Sequence, residues 1–251
     1  MLRWKTSRIT SSIDSPNTPA NDRVDVRSMF DAIVPTYDLL NRIISLGMDG
    51  GWRKQALEVC LRDSPMSVID LGTGTGDLAL MLERTAPPDL HVIGADFSVS
   101  MLRSASCRSR RQGASFHLTA ADAANLPFDR DSVDAIVTAF TLRNVPDLGG
   151  ALRSAARVLK PRGRLVILDM TPVGWGPLAR AFRFYFHAIV PLIGRLISRH
   201  PFAYTYLPRS VDSFPAAPEL ANMISQSGFE NVTYSKLGMG SIALHTGTKR
   251  A

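Results

Sequence analysis

The stretch "VIDLGTGTGD", Val68–Asp77, decides the fold. A β-branched run ends at an acid, Asp70, and three glycines then alternate with threonines. Alternating glycines directly after a strand let a backbone lie close to a ligand. The spacing Gly72-x-Gly74-x-Gly76 lacks the lysine of a phosphate-binding P-loop. It is also one residue tighter than the Gly-x-Gly-x-x-Gly of a dinucleotide-binding loop.

Two acids flank this loop, Asp70 and Asp77, and they indicate the charge of its ligand. Carboxylates repel a pyrophosphate, but they attract the ammonium and sulfonium groups of S-adenosylmethionine. Asp96 ends the next strand-like run, "HVIGAD", and is placed to accept hydrogen bonds from ribose hydroxyls. NAD carries the same ribose, so Asp96 does not separate the two cofactors. The loop predicts S-adenosylmethionine, with a nicotinamide dehydrogenase as the weaker alternative.

Strand-like and helix-like segments alternate through most of the chain. The five strand-like runs of this part are Ser67–Gly72, His91–Asp96, Ser115–Ala120, Val133–Thr141 and Arg164–Met170. The helix-like runs between them are Asp77–Arg84, Ser98–Arg111 and Gly150–Leu159. This alternation predicts a mostly parallel sheet with helices on both faces.

The pattern changes after Met170, where a helical stretch extends to about His200 and a further helix is predicted near Pro218–Ser227. The last two strand-like runs, Asn231–Leu237 and Ile242–Thr248, are separated by glycines and indicate an antiparallel hairpin. We expect one α/β domain over residues 24–251, with a helical insertion at about 175–227. The first 23 residues are expected to be a disordered tail or a weak leader.

Composition sets the compartment and the range of partners. The two cysteines of the 251-residue chain stand in no metal or redox spacing, which fits a reducing compartment, so we expect a cytoplasmic protein. No stretch reaches the ~20 apolar residues needed to span a bilayer. The net charge is +7, and nine Lys or Arg against one acid lie between Ala151 and His200. Such a basic face suits anionic lipid head groups, a nucleic-acid backbone, or only solvent.

With "ADAANLPF", Ala121–Phe128, added to the loop and Asp96, the chain resembles a class I S-adenosylmethionine-dependent methyltransferase. Five further blocks are similar to the quinone-biosynthesis C-methyltransferases: "YDLLNRIISLGMDGGW" (37–52), "FTLRNVPD" (140–147), "RVLKPRGRLVILD" (157–169), "YTYLPRSVDSFP" (204–215) and "ALHTGTK" (243–249). The resemblance covers roughly Val24–Lys249. It implies a Rossmann-like seven-stranded sheet and C-methylation of a reduced demethylmenaquinone or ubiquinone precursor.

Nine residues are predicted to bind the cofactor. They are Asp70, Gly72, Gly74, Thr75, Gly76, Asp96, Met101, Asp122 and Ala123. The resemblance implies the contacts of Thr75, Asp96 and the Asp122–Ala123 pair. Asp122 is also placed to accept from the adenine amino group and Met101 to pack on the adenine face, with a helix cap and plain core as the alternatives.

The chain departs from the family pattern at three positions. Asp49 stands where the family usually has histidine, and Arg162 stands where a second glycine is usual. Ala139 replaces a serine that contacts the cofactor in several members, so that contact is not expected here.

The predicted catalytic residues are Arg143, Asn144 and Tyr37. A ring carbon becomes nucleophilic when its neighbouring hydroxyl ionises, and a phenol has a pKa near ~10. Arg143 follows the fourth strand, at the edge where open α/β sheets bind ligands, and is predicted to stabilise the oxyanion; a salt bridge is the alternative. Asn144 is predicted to orient the hydroxyl or the arginine, and Tyr37 to position a water that takes the proton. The chemistry requires no metal.

A prenylated quinol would keep its tail in a membrane. Between Leu178 and Arg199, apolar residues including Phe186 fall on one helical arc and basic residues on the other, although Phe184 breaks the pattern and Pro191 should kink it. A basic amphipathic helix predicts peripheral contact with the inner face of the cytoplasmic membrane. Packing on the core, or in a homodimer, is the alternative.

No nucleic-acid partner is expected, because no Asn/Asp-Pro-Pro-Tyr-type motif follows the fourth strand. Two rival functions stay open: a methyltransferase acting on RNA or another small molecule, and a non-catalytic quinone-binding protein that keeps the fold.

Overall fold

The computed structural model describes residues 31, 34, 38, 39, 41–85, 87, 89–174, 180, 183–190, 192 and 202–251, with only the backbone at 202–205. Tyr37 and the predicted tail or leader, residues 1–23, lie outside the described residues.

Seven strands form one sheet in the order β3-β2-β1-β4-β5-β7-β6. The strands are β1 (Ser67–Leu71), β2 (His91–Asp96), β3 (His117–Ala120), β4 (Val133–Ala139), β5 (Leu159–Met170), β6 (Phe229–Leu237) and β7 (Ile242–Lys249). The first five run parallel, and β7 is antiparallel to both β5 and β6. This confirms the predicted α/β class and the C-terminal hairpin. The strand order reverses beside β1, and ligands bind in open α/β sheets at such a point.

Helices cover both faces of the sheet. The α-helices whose bounds lie within the described residues are α1 (Asp49–Cys60), α2 (Asp77–Thr85), α3 (Val99–Arg111), α4 (Leu148–Val158), α5 (Phe202–Asp212) and α6 (Ala217–Gln226). Two of them begin at side-chain caps. Ser98 Oγ accepts from the backbone N of Met101 at 3.1 Å, and Asp147 Oδ1 accepts from that of Gly150 at 2.8 Å. These caps satisfy helix donors that otherwise lack partners.

Two strand boundaries differ from the prediction. β4 ends at Ala139 because Phe140 adopts a left-handed conformation, φ 60°. β5 begins at Leu159 instead of Arg164, and Leu159 pairs with Val133 ahead of an irregularity in register. Exposed Arg162 takes φ 64° in this bulged part, a left-handed conformation that glycine adopts more readily than other residues.

Alternate residues of the central strands feed two apolar clusters on opposite faces of the sheet. Ile69, Ile93, Ile136 and Ile167 lie in one cluster. The other contains Val68, Val92, Val137 and Val166. This two-sided burial is expected of a parallel sheet covered by helices, and it makes the carboxyl edge of the strands a rigid base for a site.

Residues Tyr185–Ile189 form one turn of π-helix, and their packing corrects the predicted arc. Phe186 was predicted on the lipid-facing side, yet it is buried with Val190 and Val211. Phe184, the residue that broke the pattern, is 67% exposed instead. A π-turn shifts side chains relative to 3.6-residue periodicity, which accounts for the exchange. Within the described ranges, no helix is long and apolar enough to cross a membrane.

Candidate active site

The loop after β1 is built on three glycines in the left-handed region. Gly72, Gly74 and Gly76 have φ of 72°, 55° and 88°. A β-carbon at Gly72 would overlap the side chain of Thr141, whereas one at Gly74 would meet nothing within 4 Å. The backbone N of Gly72 donates to the carbonyl of Ala95 at 2.7 Å, which fixes the loop against β2. The loop backbone therefore faces open space at Gly74, as a ligand-cradling loop must.

Asp70 braces this loop from within the core. It is 1% exposed, and its Oδ2 accepts from Thr73 Oγ1 at 2.6 Å and from the backbone N of Ala79 at 3.0 Å. Burial raises the pKa of Asp70 to about 6, although the Thr73 hydrogen bond and the Arg53 charge oppose that rise. Asp70 is thus a buried carboxylate that titrates close to neutrality. Its contact with a cofactor amino group stays a prediction.

Asp96 joins the end of β2 to the loop. Its Oδ2 accepts from the backbone N of Gly74 at 2.8 Å, and its Oδ1 accepts from that of Ser98 at 2.9 Å. Burial raises its pKa. The backbone N of Ala121 donates to the carbonyl of Asp96 at 2.9 Å, so the Asp122–Ala123 pair follows directly beside it. The structure therefore brings together the ends of the first three strands, as predicted for a cofactor site.

The burial of Met101 fits its alternative role as plain core, whereas Asp122 caps a turn and not a helix. Met101 is 2% exposed within the first turn of α3. Asp122 is exposed, and its Oδ1 accepts from the backbone N of Ala124 at 2.9 Å, which caps a turn. Their contacts with an adenine stay predictions.

A cluster that the sequence did not reveal joins Thr75 to two distant residues. Thr75 Oγ1 donates to Asp38 Oδ1 at 2.6 Å. Arg108 Nη1 donates to Asp38 Oδ2 at 2.9 Å and to the Thr75 carbonyl at 3.0 Å, and its Nη2 donates to Asp77 Oδ1 at 2.6 Å. The Thr75 hydroxyl proton is thus already donated to Asp38 within the protein. Nothing in the sequence distinguishes Arg108 from the other three arginines of α3, so its role could not be predicted.

The predicted catalytic arginine lies in a short 3₁₀ turn, Leu142–Asn144, after β4. Arg143 Nη1 donates to Asp169 Oδ1 at 3.0 Å and to the carbonyl of Phe140 at 2.6 Å. Side-chain exposure is 8% for the arginine and 2% for the aspartate. The predicted alternative, a salt bridge, is thus present, and it fixes the guanidinium in place.

Two polar atoms of this turn remain buried without a hydrogen-bond partner among the described residues: Arg143 Nε and Asn144 Oδ1. Buried polar atoms are rarely left unpaired, so each such atom needs an explanation. One is a donor and the other an acceptor, on consecutive residues. A hydroxyl can accept from the first and donate to the second.

Asp169 and Tyr206 are site residues that sequence reasoning missed. Asp169 follows the apolar run of β5 in "LVILD", as Asp70 follows that of β1 and Asp96 ends β2, and this repeated pattern could have revealed it. Tyr206 comes from α5; burial raises its pKa, while the charge of Arg143 lowers it. The Tyr206 hydroxyl therefore lies near enough to Arg143 for the arginine charge to act on it.

The loop and the arginine turn are neighbours. Thr141 Oγ1 donates to the carbonyl of Gly72 at 3.3 Å. Ala139, at the end of β4, offers no hydroxyl to a cofactor, as its alanine side chain led us to expect.

Asp49 is accommodated as the first residue of α1. Its carboxylate accepts from Ser45 Oγ at 2.9 Å and lies 3.7 Å from Arg53 Nε.

This sheet order, with a glycine loop flanked by acids and an acid at the end of β2, defines a class I S-adenosylmethionine-dependent methyltransferase. Solved structures agree on the fold. The [4+2]-cyclase SpnF superposes with a TM-score of 0.67 at 17% identity, covering 90% of this chain and 95% of that one. An S-adenosylmethionine-dependent methyltransferase from Thermotoga maritima gives 0.63 at 22% identity, covering 90% and 100%. At such identities the likeness shows the fold alone.

The chain belongs to the ubiE/COQ5 methyltransferase family, whose model matches residues 17–249. It is 43% identical to the demethylmenaquinone methyltransferase of Thermus thermophilus, over 88% of this chain and 100% of that protein. It is 41% identical to the protein of the same name from Deinococcus radiodurans, over 92% and 97%. It is 39% identical to a ubiquinone/menaquinone biosynthesis C-methyltransferase, UbiE, of Desulfotalea psychrophila, over 89% and 90%. The protein is therefore an S-adenosylmethionine-dependent methyltransferase.

Proposed function

We propose that the enzyme methylates a ring carbon of a reduced, prenylated quinone precursor, converting demethylmenaquinol to menaquinol. The observation that carries the proposal is the pair of buried atoms, Arg143 Nε and Asn144 Oδ1, which lie beside the glycine loop and have no hydrogen-bond partner among the described residues. They match the accepting and donating capacity of a ring hydroxyl. The names of the Thermus and Deinococcus relatives favour a naphthoquinol acceptor, and the Desulfotalea name adds the equivalent benzoquinol step.

The cofactor site fits its ligand by charge and by shape. Gly74 leaves room for close approach, and Asp70 and Asp96 place negative charge where an ammonium and a ribose need acceptors. These residues, with Thr75 and Asp122–Ala123, would hold the cofactor. When bound, S-adenosylmethionine supplies an electrophilic methyl group.

The remaining task of the protein is to raise the nucleophilicity of the ring. Arg143 has one nitrogen fixed by Asp169 and Phe140, so its guanidinium needs no reorganisation to meet an oxyanion. A single preorganised donor of this kind contributes about 3–4 kcal/mol to transition-state stabilisation in other enzymes. Asn144 holds the hydroxyl by its proton until ionisation, and this orients the adjacent ring carbon. Tyr37 is proposed to position the water that accepts the proton.

The prenyl tail of the acceptor implies that catalysis takes place at a membrane surface. We therefore include peripheral membrane contact in the proposal. The basic charge of the chain, +7 overall, favours anionic lipid.

The test is a methyl-transfer assay with purified protein and methyl-labelled S-adenosylmethionine. Reduced demethylmenaquinone and a reduced demethylated benzoquinone precursor are offered separately in detergent. We expect label in a ring carbon of the naphthoquinol, and a loss of label when the quinone is left oxidised.

The variants and outcomes separate the alternatives. Asn144→Asp keeps the size of the side chain but places a negative charge beside the developing oxyanion, so it should lower kcat while cofactor binding is retained. Label in the benzoquinol alone would reassign the acceptor. Cofactor binding with no label in either quinol would overturn the proposal in favour of another acceptor or a non-catalytic role.

A further inference from the structure

Large apolar side chains are exposed in three short segments at one end of the molecule. Their exposed fractions are 71% for Leu46, 41% for Met48, 67% for Phe184, 53% for Leu192 and 67% for Met239. We call these five residues the apolar rim. Single exposed apolar residues are ordinary, but a contiguous group marks an interaction surface.

Contacts between the segments show that they are neighbours in the fold. Tyr185 Oη donates to the carbonyl of Ile44 at 3.2 Å, which joins the segment of Phe184 to that of Leu46. Met48 accepts from the backbone N of Trp52 at 3.2 Å. The Trp52 ring in turn packs on Gly238, where a β-carbon would come within 2.8 Å of it. Met239 is the next residue, so the chain of contacts runs from Phe184 to Met239.

The rim lies at the edge of the sheet that carries the site. β7 is antiparallel, and Ile242 at its start pairs with Met170 at the end of β5. The turn containing Met239 is therefore at the carboxyl ends of the parallel strands. Asp169, the partner of Arg143, is one residue before Met170. A surface that meets the rim would therefore lie against the entrance side of the site.

Backbone conformation adds a second observation at two of these residues. Leu46 has φ 52° and Met239 has φ 57°. Glycine and asparagine adopt this left-handed region readily, whereas other side chains are disfavoured there. Both residues thus have an unfavourable backbone and an unburied side chain, and neither feature stabilises the fold. An external partner that buries these side chains would give them a use.

Exposed cations accompany each segment. Arg42 lies four residues before Leu46, Arg180 four before Phe184, and Lys236 three before Met239, and all three side chains are exposed. Apolar side chains beside Lys and Arg are the combination with which proteins enter the interface of an anionic bilayer. A protein partner with an apolar surface would leave these cations without a counterpart.

We propose that the apolar rim inserts into the surface of an anionic phospholipid bilayer and holds the active-site edge against it. The proposal rests on the proposed function in one respect, the lipid-soluble acceptor. With the rim inserted, a quinol ring can reach Arg143 while its tail stays in lipid.

The test compares wild type with the double variant Leu46→Asn, Met239→Asn. Asparagine tolerates the left-handed conformation, so this variant should fold and should unfold at a slightly higher temperature than wild type. Exposed Met66 lies just before β1, at the opposite edge of the sheet, and Met66→Asn is the matched control. Binding is measured by flotation with vesicles of phosphatidylglycerol and phosphatidylcholine.

We expect the double variant to bind vesicles at least tenfold more weakly, and the Met66 variant to bind like wild type. Methylation of a tail-less quinol in solution should be unchanged in both variants, while methylation of prenylated quinol in vesicles should fall only in the double variant. Unchanged flotation of the double variant would overturn the proposal. So would a change in oligomeric state without a change in flotation, which would assign the rim to contact between copies. Failure of wild type to methylate either quinol would refute the proposed function. The flotation result would still decide whether the rim binds lipid.

Discussion

Asp70→Asn should remove a pH-dependent loss of stability from the enzyme. The carboxylate is 1% exposed, and its Oδ2 accepts hydrogen bonds from Thr73 and from the backbone N of Ala79. The oxygen of an asparagine can accept both, so the variant keeps the shape of the loop. What it removes is a buried negative charge.

The magnitude follows from the two pKa values. Burial raises the pKa of Asp70 from its ordinary 3.8 to about 6 in the folded protein. At 1.36 kcal/mol per pKa unit, this difference of about 2 corresponds to roughly 3 kcal/mol. Because the folded state binds the proton more tightly, protonation of Asp70 stabilises the folded state by this full amount only well below pH 3.8. The stabilisation is lost as the pH rises through about 6.

The assay is urea unfolding, followed at intervals between pH 4 and pH 8, for wild type, Asp70→Asn and the exposed control Asp89→Asn. Other groups titrate in this range, so the informative quantity is the difference between wild type and each variant at each pH. For Asp70→Asn that difference should shift by about 2 kcal/mol in favour of the variant between pH 4 and pH 7, because part of the full effect already develops below pH 4. For Asp89→Asn it should stay nearly constant.

The affinity for cofactor provides an independent test of the charge on Asp70. The affinity of wild type for S-adenosylmethionine should rise as the pH passes 6, because the ionised carboxylate favours a cationic ligand. Asp70→Asn should bind more weakly and without this pH dependence. A flat stability difference between wild type and Asp70→Asn would show that Asp70 is ionised throughout, and would refute the argument from burial.

Three further predictions concern the site. Arg108→Gln breaks the cluster that holds Asp38 on the loop and should weaken binding of S-adenosylhomocysteine about tenfold by calorimetry, while Arg103→Gln on the same helix should not. Gly72→Ala forces a left-handed alanine against Thr141 and should lower the free energy of unfolding by at least about 2 kcal/mol in urea; equal stability would contradict the described loop. Arg143→Lys keeps the charge but not the geometry and should reduce kcat about 10²-fold in the methyl-transfer assay with little change in the KM for cofactor.

Most of the fold could be predicted from local pattern. Buried parallel strands are short apolar runs, and the acids and glycines that end them mark the carboxyl edge of the sheet. The start of β5 could not be predicted, because "KPRG" is typical of a turn. Leu159 joins the strand only through its pairing with Val133 on β4, and such a long-range contact leaves no local signal.

The site was predictable where chemistry follows a strand end, as at Asp96 and Arg143. It was not predictable where a partner comes from far along the chain. Asp169 pairs with Arg143 across 26 residues, and Asp38 meets Arg108 across 70. Phe186 was misplaced because the prediction assumed 3.6-residue periodicity through a segment that forms a π-turn.

The position of β7 has a consequence for how the chain folds as it is synthesised. β7 pairs on one side with β5 and on the other with β6, although it follows both in sequence. Until residues up to Lys249 have left the ribosome, β5 presents an open edge. Unpaired edges recruit other chains during synthesis. A stalled or prematurely ended chain should therefore aggregate through β5 even though β1–β4 and the whole glycine loop are already complete.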